Sequence, residues 1–408
     1  MNIVVIGAQW GDEGKGKIVD YLAEGAQQVV RFSGGANAGH TIVVGGKKYA
    51  LHQVPSGILH ADKTVFLGSG MVIDPVVLFD ELKMLHDSGI AWEGRVFISD
   101  RAHLVLPHYR RMDTERDASR PHPIGTTGRG IGTAYSQKSE RDGIRLADID
   151  WDEKLADYDD ETRAFVARYR DRLLPMRIDI ATALWERRET NTLFEGAQGA
   201  LLDLDSGTYP FVSSGISCAA GAAVGAGIGP RAIDRVYGVF KAYETRVGNG
   251  PMPSEFNDST ESALCDYVRT AGNEFGVTTG RPRRCGYLDV VALRYACRVN
   301  SIDSLVLTHL DIYDQMDSIE ACVAYEIDGK TVTDFPASIP ALTAARPVLE
   351  RFPGWKTQLR SCHTYDELPS AAQRYIEFIE RFTGTPVGIV SVGAERSETF
   401  VRTDPWQR

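Results

Sequence analysis

The first residues that could do chemistry form a glycine-rich loop after the apolar run Ile3–Gly7. The loop reads Gly11-Asp12-Glu13-Gly14-Lys15-Gly16-Lys17 and precedes a stretch of helical character. Glycines let backbone N–H groups point at phosphate oxygens, while the lysines and the helix N-terminus add positive charge. Ile18 stands where a P-loop places Ser or Thr for Mg²⁺, so Asp12 is the nearest candidate metal ligand. The alternative is a simple turn, but three glycines, two lysines and an acid favour phosphate binding.

A second polar loop, residues 34–41, follows the apolar run Val29–Phe32. It contains Gly34-Gly35-Ala36-Asn37-Ala38-Gly39-His40-Thr41 and offers backbone donors, an amide and an imidazole. A single loop histidine is more often structural than catalytic. Because the carboxyl ends of parallel strands meet at one edge of a sheet, we expect His40 to lie beside the phosphate loop and favour a functional role.

Short β-branched runs alternate with longer amphipathic stretches, which predicts a large, mostly parallel sheet with helices on both faces. The predicted strands are Ile3–Gly7, Val29–Phe32, Thr64–Gly68, Val96–Ser99, Thr192–Glu195, Val236–Lys241, Ser304–Thr308 and Val387–Ser391. The predicted helices are Lys15–Glu24, Pro75–Ser88, Glu153–Leu173, Pro175–Arg188, Ser259–Thr270, Leu288–Val299 and Ser370–Thr383. We expect one catalytic domain over residues 1–408. We expect residues 148–188 to form a helical insert because they are charged and lack glycine.

The composition excludes several classes of protein. The chain has 408 residues, and its 45 basic and 55 acidic residues give a net charge of −10, which argues against nucleic-acid or membrane binding. It has no apolar run of about 18 residues, and its six cysteines lack CxxC spacing, so we expect reduced thiols and a cytoplasmic location. Its 40 glycines are about 10 % of the chain, above the usual ~7 %, which indicates many turns or many places where the backbone approaches a ligand closely.

Six ordered motifs give the chain a family resemblance. GAQWGDEGKGKIVD, GGANAGHT, IGTTGRGIG, FEGAQGALLDLDSGTYPFV, TRVGNGPMPSE and TTGRPRRCGYLD together resemble the adenylosuccinate synthetase family. The resemblance runs from residue 2 to about 402 and is weakest across 148–188. It implies an α/β fold with a P-loop-like GTP-binding architecture and helical and small β insertions. It also implies an Mg²⁺-dependent ligase that uses GTP to join L-aspartate to IMP through 6-phosphoryl-IMP.

The resemblance also implies roles for four catalytic residues. Asp12 matches the base that removes the N1 proton of IMP, and it matches an Mg²⁺ ligand together with the carbonyl of Gly39. His40 matches the residue that donates to the transferring oxygen, and Lys15 matches the lysine that neutralises phosphate charge. Gln198 matches a residue of the family's catalytic centre.

The binding residues are implied in the same way. The GTP-binding residues are Gly11, Glu13, Gly14, Gly16, Lys17, Thr41, Arg283, His309, Leu310, Asp311, Ser391 and Gly393. The IMP-binding residues are Asn37, Ala38, Thr127, Arg141, Gln198, Ser213, Val247 and Arg281. The aspartate-binding residues are Val277, Thr278, Thr279, Gly280, Arg281 and Arg283, whose guanidinium groups suit a dicarboxylate. Arg141 matches an arginine that reaches IMP from the neighbouring subunit, which implies a homodimer.

Departures from the family pattern leave two alternatives open. His309 replaces a usual lysine, which leaves the choice between GTP and ATP open although Asp311 is retained. Gly215, Ile216 and Asn249 also depart from the pattern near the purine nucleotide, so a paralogue acting on another 6-oxopurine nucleotide such as dGMP is one alternative. A nucleotide-binding module without catalysis is the other, but it would be expected to lack Asp12, His40 or the arginine loop.

Overall fold

The computed structural model describes residues 1–257, 259–275 and 282–407. The strands are β1 (Asn2–Gly7), β2 (Gln28–Arg31), β3 (His40–Val44), β4 (Lys47–Leu51), β5 (Thr64–Leu67), β6 (Val72–Ile73), β7 (Val96–Ser99), β8 (His103–Leu104), β9 (Arg177–Ile178), β10 (Thr192–Gly199), β11 (Arg235–Lys241), β12 (Tyr243–Arg246), β13 (Arg284–Asp289), β14 (Ser304–Thr308), β15 (Ser318–Ile327), β16 (Lys330–Val332), β17 (Arg346–Pro353), β18 (Val387–Ser391) and β19 (Thr399–Val401).

The helices surround these strands. They are α1 (Lys15–Leu22), α2 (Pro75–Asp87), α3 (Pro107–Ala118), α4 (Ile131–Glu140), α5 (Asp152–Leu155), α6 (Asp160–Leu173), α7 (Ile180–Glu186), α8 (Ala220–Ala226), α9 (Ser262–Ala271), α10 (Val290–Asn300), α11 (Ile339–Ala344) and α12 (Ser370–Thr383). Within the described ranges, no helix combines the length and apolar character needed to cross a membrane.

Ten strands form one large sheet in the order β19-β18-β14-β11-β1-β10-β2-β5-β7-β9. Every neighbouring pair is parallel except β18 and β19, which are antiparallel. All eight predicted strands belong to this sheet. The mostly parallel sheet predicted from the alternating pattern is therefore confirmed.

The sheet is buried on both faces, and strand β1 illustrates why its sequence is apolar throughout. Val4 and Ile6 belong to one buried cluster, which includes residues of α10 and α12. Ile3 and Val5 alternate with them and belong to a second cluster, which includes residues of α1 and α2. Since successive side chains of a strand point to opposite faces, a strand covered by helices on both sides must be apolar at every position.

A smaller sheet lies outside the predicted elements. It has the order β12-β13-β15-β16, and β17 also pairs with β15. The hairpin β3–β4 carries His40 on its first strand. These are the small β insertions that the resemblance implied.

Two predicted helices near residues 148–188 need correction. The helix expected over Glu153–Leu173 is two helices, α5 and α6. The helix expected over Pro175–Arg188 is wrong at its start, because Arg177 and Ile178 form β9, which pairs with β7 at the sheet edge. The segment is mostly helical, but it also supplies an edge strand of the large sheet.

Candidate active site

A cavity of about 740 Å³ lies at the carboxyl ends of the central strands. The predicted residues that line it are Gly11, Asp12, Gly14, Lys15, Gly16, Lys17, Asn37, Ala38, Gly39, His40, Thr41, Thr127, Gln198, Ser213, Val247, Arg283, His309, Asp311, Ser391 and Gly393. They follow the order of the strands in the sheet. The ends of β18 and β14 supply Ser391 and His309, β1 leads to the phosphate loop, and β10 and β2 lead to Gln198 and Asn37. The cavity therefore runs along this edge of the sheet, from the residues predicted to bind GTP to those predicted to bind IMP.

The phosphate loop is built around the buried carboxylate of Glu13. One oxygen of Glu13 accepts from the backbone N–H of Gly11 at 2.9 Å and of Gln9 at 3.2 Å, and the other pairs with the ammonium of Lys15. Glu13 is fully buried and lies beneath the loop, outside the cavity lining. Its side chain thus holds the loop and orients Lys15.

Gly7 and Gly199 have no side chain, and the carboxylate of Glu13 occupies the space that a Cβ at either position would need. A Cβ on Gly7 would lie 2.4 Å from both carboxylate oxygens of Glu13, and a Cβ on Gly199 would lie 2.5 Å from Oε1. Gly14, at the N-terminal cap of α1, has φ 87°, which a residue with a side chain rarely adopts. The predicted strand–loop–helix unit therefore forms, and its glycines have specific steric reasons.

Lys17 connects the phosphate loop to the end of β18. Its ammonium donates to the hydroxyl of Ser391 and to the carbonyl of Gly393, both at 2.7 Å. Burial lowers the pKa of Lys17 to about 8, although nearby Glu398 and Asp311 act to raise it. Lys17 is thus a cation whose charge is sensitive to pH near neutrality.

Asp12 is paired with an arginine. Its Oδ2 lies 2.9 Å from Nε of Arg283, and Nη1 of Arg283 lies 2.7 Å from Oε2 of the buried Glu274. The other oxygen of Glu274 lies 2.7 Å from Nζ of Lys241. Burial acts to raise the pKa of Glu274, but Lys241, His309 and Arg283 together lower it to about 2. Glu274 is therefore an anion that holds Arg283 against Asp12.

His40 is held by a second buried carboxylate. Its Nδ1 lies 2.5 Å from Oε1 of Glu195, and Glu195 also accepts from the backbone N–H of Ser56 at 2.8 Å and from its hydroxyl at 3.0 Å. Burial lowers the pKa of His40, against the opposing effect of Glu195. Burial acts to raise the pKa of Glu195, but His40 and Arg31 outweigh it. The pair fixes the ring by Nδ1 and leaves Nε2 for the cavity.

Three predicted IMP-binding residues carry buried polar atoms without hydrogen-bond partners among the described residues. These atoms are Oδ1 of Asn37, Nε2 of Gln198 and Oγ of Ser213. All three residues line the cavity. Buried polar groups in proteins are nearly always paired, so a cluster of unpaired ones indicates a polar ligand.

The other end of the cavity holds the residues predicted to read the guanine base. Asp311 lines it, and its Oδ2 accepts from Nη2 of the exposed Arg360 at 3.2 Å. The ring of His309 lies edge-on to Tyr243 with centroids 5.9 Å apart, and burial lowers the pKa of His309 to about 4. The imidazole is therefore neutral where the family pattern has a lysine. Leu310 is fully buried and lies outside the cavity lining.

Backbone strain is concentrated among the predicted site residues. Within the described part of the chain, eight non-glycine residues have φ values in the left-handed region, and four were predicted as site residues. The four are Asp12 (59°), Arg141 (71°), Gln198 (57°) and His309 (57°). Such conformations cost about 1–3 kcal/mol each and persist where the surroundings impose them, commonly at functional sites.

Some predicted residues lie away from the cavity or outside the described ranges. Arg141 ends α4 and is exposed, away from the cavity lining. The predicted aspartate-binding residues Val277, Thr278, Thr279, Gly280 and Arg281 lie outside the described residues. Of the aspartate loop, only Arg283 is placed, at the cavity.

The buried carboxylates of Glu195 and Glu274 lie at the site but were not predicted from the sequence as functional residues. Glu195 ends a predicted strand and begins the quoted EGAQG run, so its position was a usable signal. Glu274 had no such signal, because it reaches Arg283 only through the tertiary fold.

Comparisons with known proteins agree with this geometry. The family model for adenylosuccinate synthetase matches residues 4–400. The adenylosuccinate synthetase of Acaryochloris marina is 48 % identical, over 99 % of this chain and 95 % of its own length. A fully ligated adenylosuccinate synthetase from Plasmodium falciparum superposes with a TM-score of 0.91 at 36 % identity, covering 98 % of this chain and 99 % of that one.

A more distant structure shares the fold. The succinoaminodeoxyadenylate synthetase of cyanophage S-2L, bound to dGMP and dATP, superposes with a TM-score of 0.67. It covers 99 % of this chain and 95 % of its own, but the identity is only 21 %. At that identity the likeness concerns the fold alone.

Proposed function

The chain belongs to the adenylosuccinate synthetase family, and on this premise we propose that its cavity binds GTP and IMP at opposite ends. The enzyme is a ligase that uses GTP to join L-aspartate to IMP. The GTP end comprises the phosphate loop, Lys17, Asp311 and the end of β18, and the IMP end comprises Asn37, Gln198, Ser213 and Thr127. The unpaired polar atoms of Asn37, Gln198 and Ser213 are the observation that carries this assignment.

In the first step, a proton leaves N1 of IMP and O6 attacks the γ-phosphorus of GTP, releasing GDP. Asp12 accepts the proton, since its partly exposed carboxylate lines the cavity at the centre of the sheet edge. Lys15, oriented by Glu13, neutralises charge on the transferring phosphoryl group. Burial disfavours the protonated ring of His40, but the negative charge of the bound nucleotides would favour it; Nε2 would then donate to the transferring oxygen, and Glu195 would stabilise the imidazolium at Nδ1.

In the second step, the aspartate amine attacks C6 of 6-phosphoryl-IMP and inorganic phosphate leaves with the former O6. Arg283 binds a carboxylate of aspartate together with the loop at residues 277–281. The guanidinium already lies at the cavity between two anions, Asp12 and Glu274, so its charge and position suit this role. Binding of aspartate would then draw Arg283 from Asp12.

Mg²⁺ is the proposed metal. Its preferred ligands are hard oxygens, few from the protein and the rest from phosphates and water. The carboxylate of Asp12 and the carbonyl of Gly39 fit that donor set at the cavity. Within the described residues, no group of three or more His, Cys, Asp or Glu side chains could hold a metal alone, in keeping with a metal shared with substrate phosphates. When bound, Mg²⁺ would neutralise phosphate charge during transfer.

A homodimer is proposed as the working form, with Arg141 reaching the neighbouring site. Arg141 is exposed at the end of α4, and Lys138 of the same helix donates to the carbonyl of Ser69 at 3.1 Å. Ser69 in turn bonds the carbonyl of Gly225 beside Val224, whose side chain is 67 % exposed. The exposure of Arg141 is compatible with the role that the resemblance implies for it, contact with the site of a neighbouring subunit. A cytoplasmic location is proposed from the family's metabolic role.

The nucleotide assignment is tested by substitution at the IMP end. Ser213→Ala and Asn37→Ala should each raise the KM for IMP roughly tenfold, because each removes a polar contact to a charged or strongly polar substrate. The KM for GTP should stay unchanged. Equal increases in both constants would contradict the division of the cavity.

The dGMP alternative is not favoured. The high-identity relatives are adenylosuccinate synthetases, whereas the dGMP-bound phage protein resembles this chain in fold alone. Asn249, which could have contacted a 2-substituent, instead donates from Nδ2 to the carbonyl of Pro123 at 2.9 Å. Steady-state rates with IMP and dGMP at equal concentration test the choice, and faster turnover of dGMP would overturn it.

A further inference from the structure

The predicted IMP-binding residue Thr127 lies in an exposed segment, residues 122–130, which we call the Thr127 loop. The loop joins α3 to α4, and four of its residues line the cavity: Ile124, Gly125, Thr126 and Thr127. An exposed loop of this kind has few apolar contacts to hold it. Its position must therefore come from polar contacts.

The first contact is a carboxylate on α3. Asp117, whose side chain is 14 % exposed, accepts from three consecutive backbone N–H groups. The distances are 2.8 Å to Ile124, 3.0 Å to Gly125 and 3.1 Å to Thr126. Consecutive N–H groups converging on one anion form a concave nest. Asp117 thus fixes the backbone immediately before Thr127.

The second contact comes from Asn249, on the opposite side of the loop. Its side chain donates to the carbonyl of Pro123 at 2.9 Å, and its backbone N–H donates to the carbonyl of Ile124 at 3.2 Å. Asn249 is itself held firmly, because Nη1 of Arg284 donates to the carbonyl of Gly250 at 2.8 Å and to that of Gly248 at 3.4 Å. Asn249 is therefore a fixed support rather than a free surface amide.

The C-terminal half of the loop is tied to the rest of the IMP end. The backbone N–H of Gly130 donates to Oδ2 of Asp113 at 3.1 Å. Nη1 of Arg129 donates to the carbonyl of Ala36 at 3.1 Å, next to Asn37. Both sides of Thr127 are thus connected to elements that line the cavity.

We propose that Asp117 and Asn249 are positioning residues that hold the Thr127 loop in place at the IMP end of the cavity. Asp117 lies outside the cavity lining, and Asn249 lines the cavity but directs its amide to the carbonyl of Pro123, so each acts through the backbone of residues 123–126. The inference rests on the proposed assignment of Thr127 to IMP. It gives Asn249, an unusual residue for the family pattern, the role of supporting the loop instead of reading the base.

The test combines kinetics with hydrogen exchange of the peptide containing residues 122–130 in the ligand-free enzyme. Asn249→Ala should raise the KM for IMP about fivefold, the equivalent of one lost hydrogen bond, and Asp117→Asn should raise it more because three bonds weaken. Both variants should exchange the loop amides faster than wild type, since exchange follows local opening. The KM for GTP should not change. Asp160→Asn, which alters an exposed carboxylate on α6, is the matched control and should match wild type in every readout.

Three further results separate the possibilities. The double variant Asp117→Asn/Asn249→Ala should show less than the sum of the two effects, because both act on one loop. Unchanged loop exchange in both variants, or KM values for GTP and IMP that rise together, would overturn the inference. If Thr127→Ala leaves the KM for IMP unchanged, the assignment of Thr127 fails and the inference fails with it.

Discussion

The two lysines at the GTP end of the cavity, Lys15 and Lys17, have different hydrogen-bond partners, and we expect them to differ in function. Lys15 is paired with the carboxylate of Glu13, whereas the partners of Lys17 among the described residues are a hydroxyl and carbonyls. Burial lowers the pKa of Lys17 to about 8, and the charges of Glu398 and Asp311 offset this effect only in part. GTP, a polyanion, binds best when that ammonium is protonated.

The affinity for GTP should therefore fall at alkaline pH. As the pH rises through about 8, free enzyme loses the Lys17 charge, and the KM for GTP should increase by up to about tenfold per pH unit. The KM for IMP should change much less. Lys17→Arg should remove this dependence because a guanidinium stays charged. A KM for GTP that is constant from pH 7 to pH 9.5 in wild type would contradict this role of Lys17.

The pair of His40 and Glu195 predicts a kinetic effect from a residue that does not contact substrate. Glu195→Gln should lower kcat roughly 100-fold, because an amide stabilises the protonated ring poorly. KM values should change little. In a His40→Ala background the same substitution should have almost no further effect on kcat, since the two residues act as a unit. A full additional loss in that background would show that Glu195 acts independently of His40.

At the scale of elements, the unit of β1, phosphate loop and α1 depends on the space beside Gly7 and Gly199, which the carboxylate of Glu13 occupies. Gly7→Ala would place a Cβ 2.4 Å from both carboxylate oxygens of Glu13. We expect a loss of roughly 1–3 kcal/mol in the free energy of unfolding, as in other overpacked sites. The KM for GTP should also rise, because the displaced carboxylate no longer holds Gly11 and Lys15.

Gly229→Ala is the matched control for that experiment. Gly229 precedes the short turn Pro230–Ala232, and a Cβ there would meet nothing within 4 Å. It should leave both the unfolding free energy and the KM for GTP close to wild type. Equal destabilisation by both substitutions would argue against a specific role for the space above Gly7.

The elements that the sequence predicts well are those that burial defines. Val4, Ile6 and their neighbours are apolar because both faces of the sheet are covered, so the run identifies a central strand directly. The edge strand β9 has two partly exposed residues and no such pattern, so the sequence around it predicts only a helix. The smaller sheet is not predicted, because β12 pairs with β13, and β13 with β15, from separate parts of the chain that no local pattern joins.

The candidate site likewise contains residues that the sequence predicts and contacts that only the tertiary fold brings together. The positions of the phosphate loop and His40 after predicted strands place them at this edge of the sheet, whereas Asp311 is predicted from the family resemblance, and all of them line the cavity. The contacts of Glu274 with Arg283, and of Asp117 and Asn249 with the Thr127 loop, depend on distances across the fold that no local pattern encodes. The loop at residues 277–281 stays a prediction.

At the scale of the whole molecule, the proposed shared site predicts that two subunits with different defects can together form one intact site. Arg141→Leu and Lys15→Ala homodimers should each be nearly inactive if Arg141 serves the neighbouring site. A mixture allowed to exchange subunits should recover up to about a quarter of wild-type activity, because half of the dimers are mixed and one of their two sites is intact. Subunit exchange without any recovery would contradict the shared site.

The central claim is that O6 of IMP is activated by phosphorylation before aspartate displaces it. The most direct measurement uses IMP labelled with ¹⁸O at C6, with GTP, L-aspartate and Mg²⁺, and mass analysis of the phosphate released. If O6 is phosphorylated before it leaves, each phosphate released carries one ¹⁸O atom from IMP. Adenylosuccinate formed together with unlabelled phosphate would contradict it.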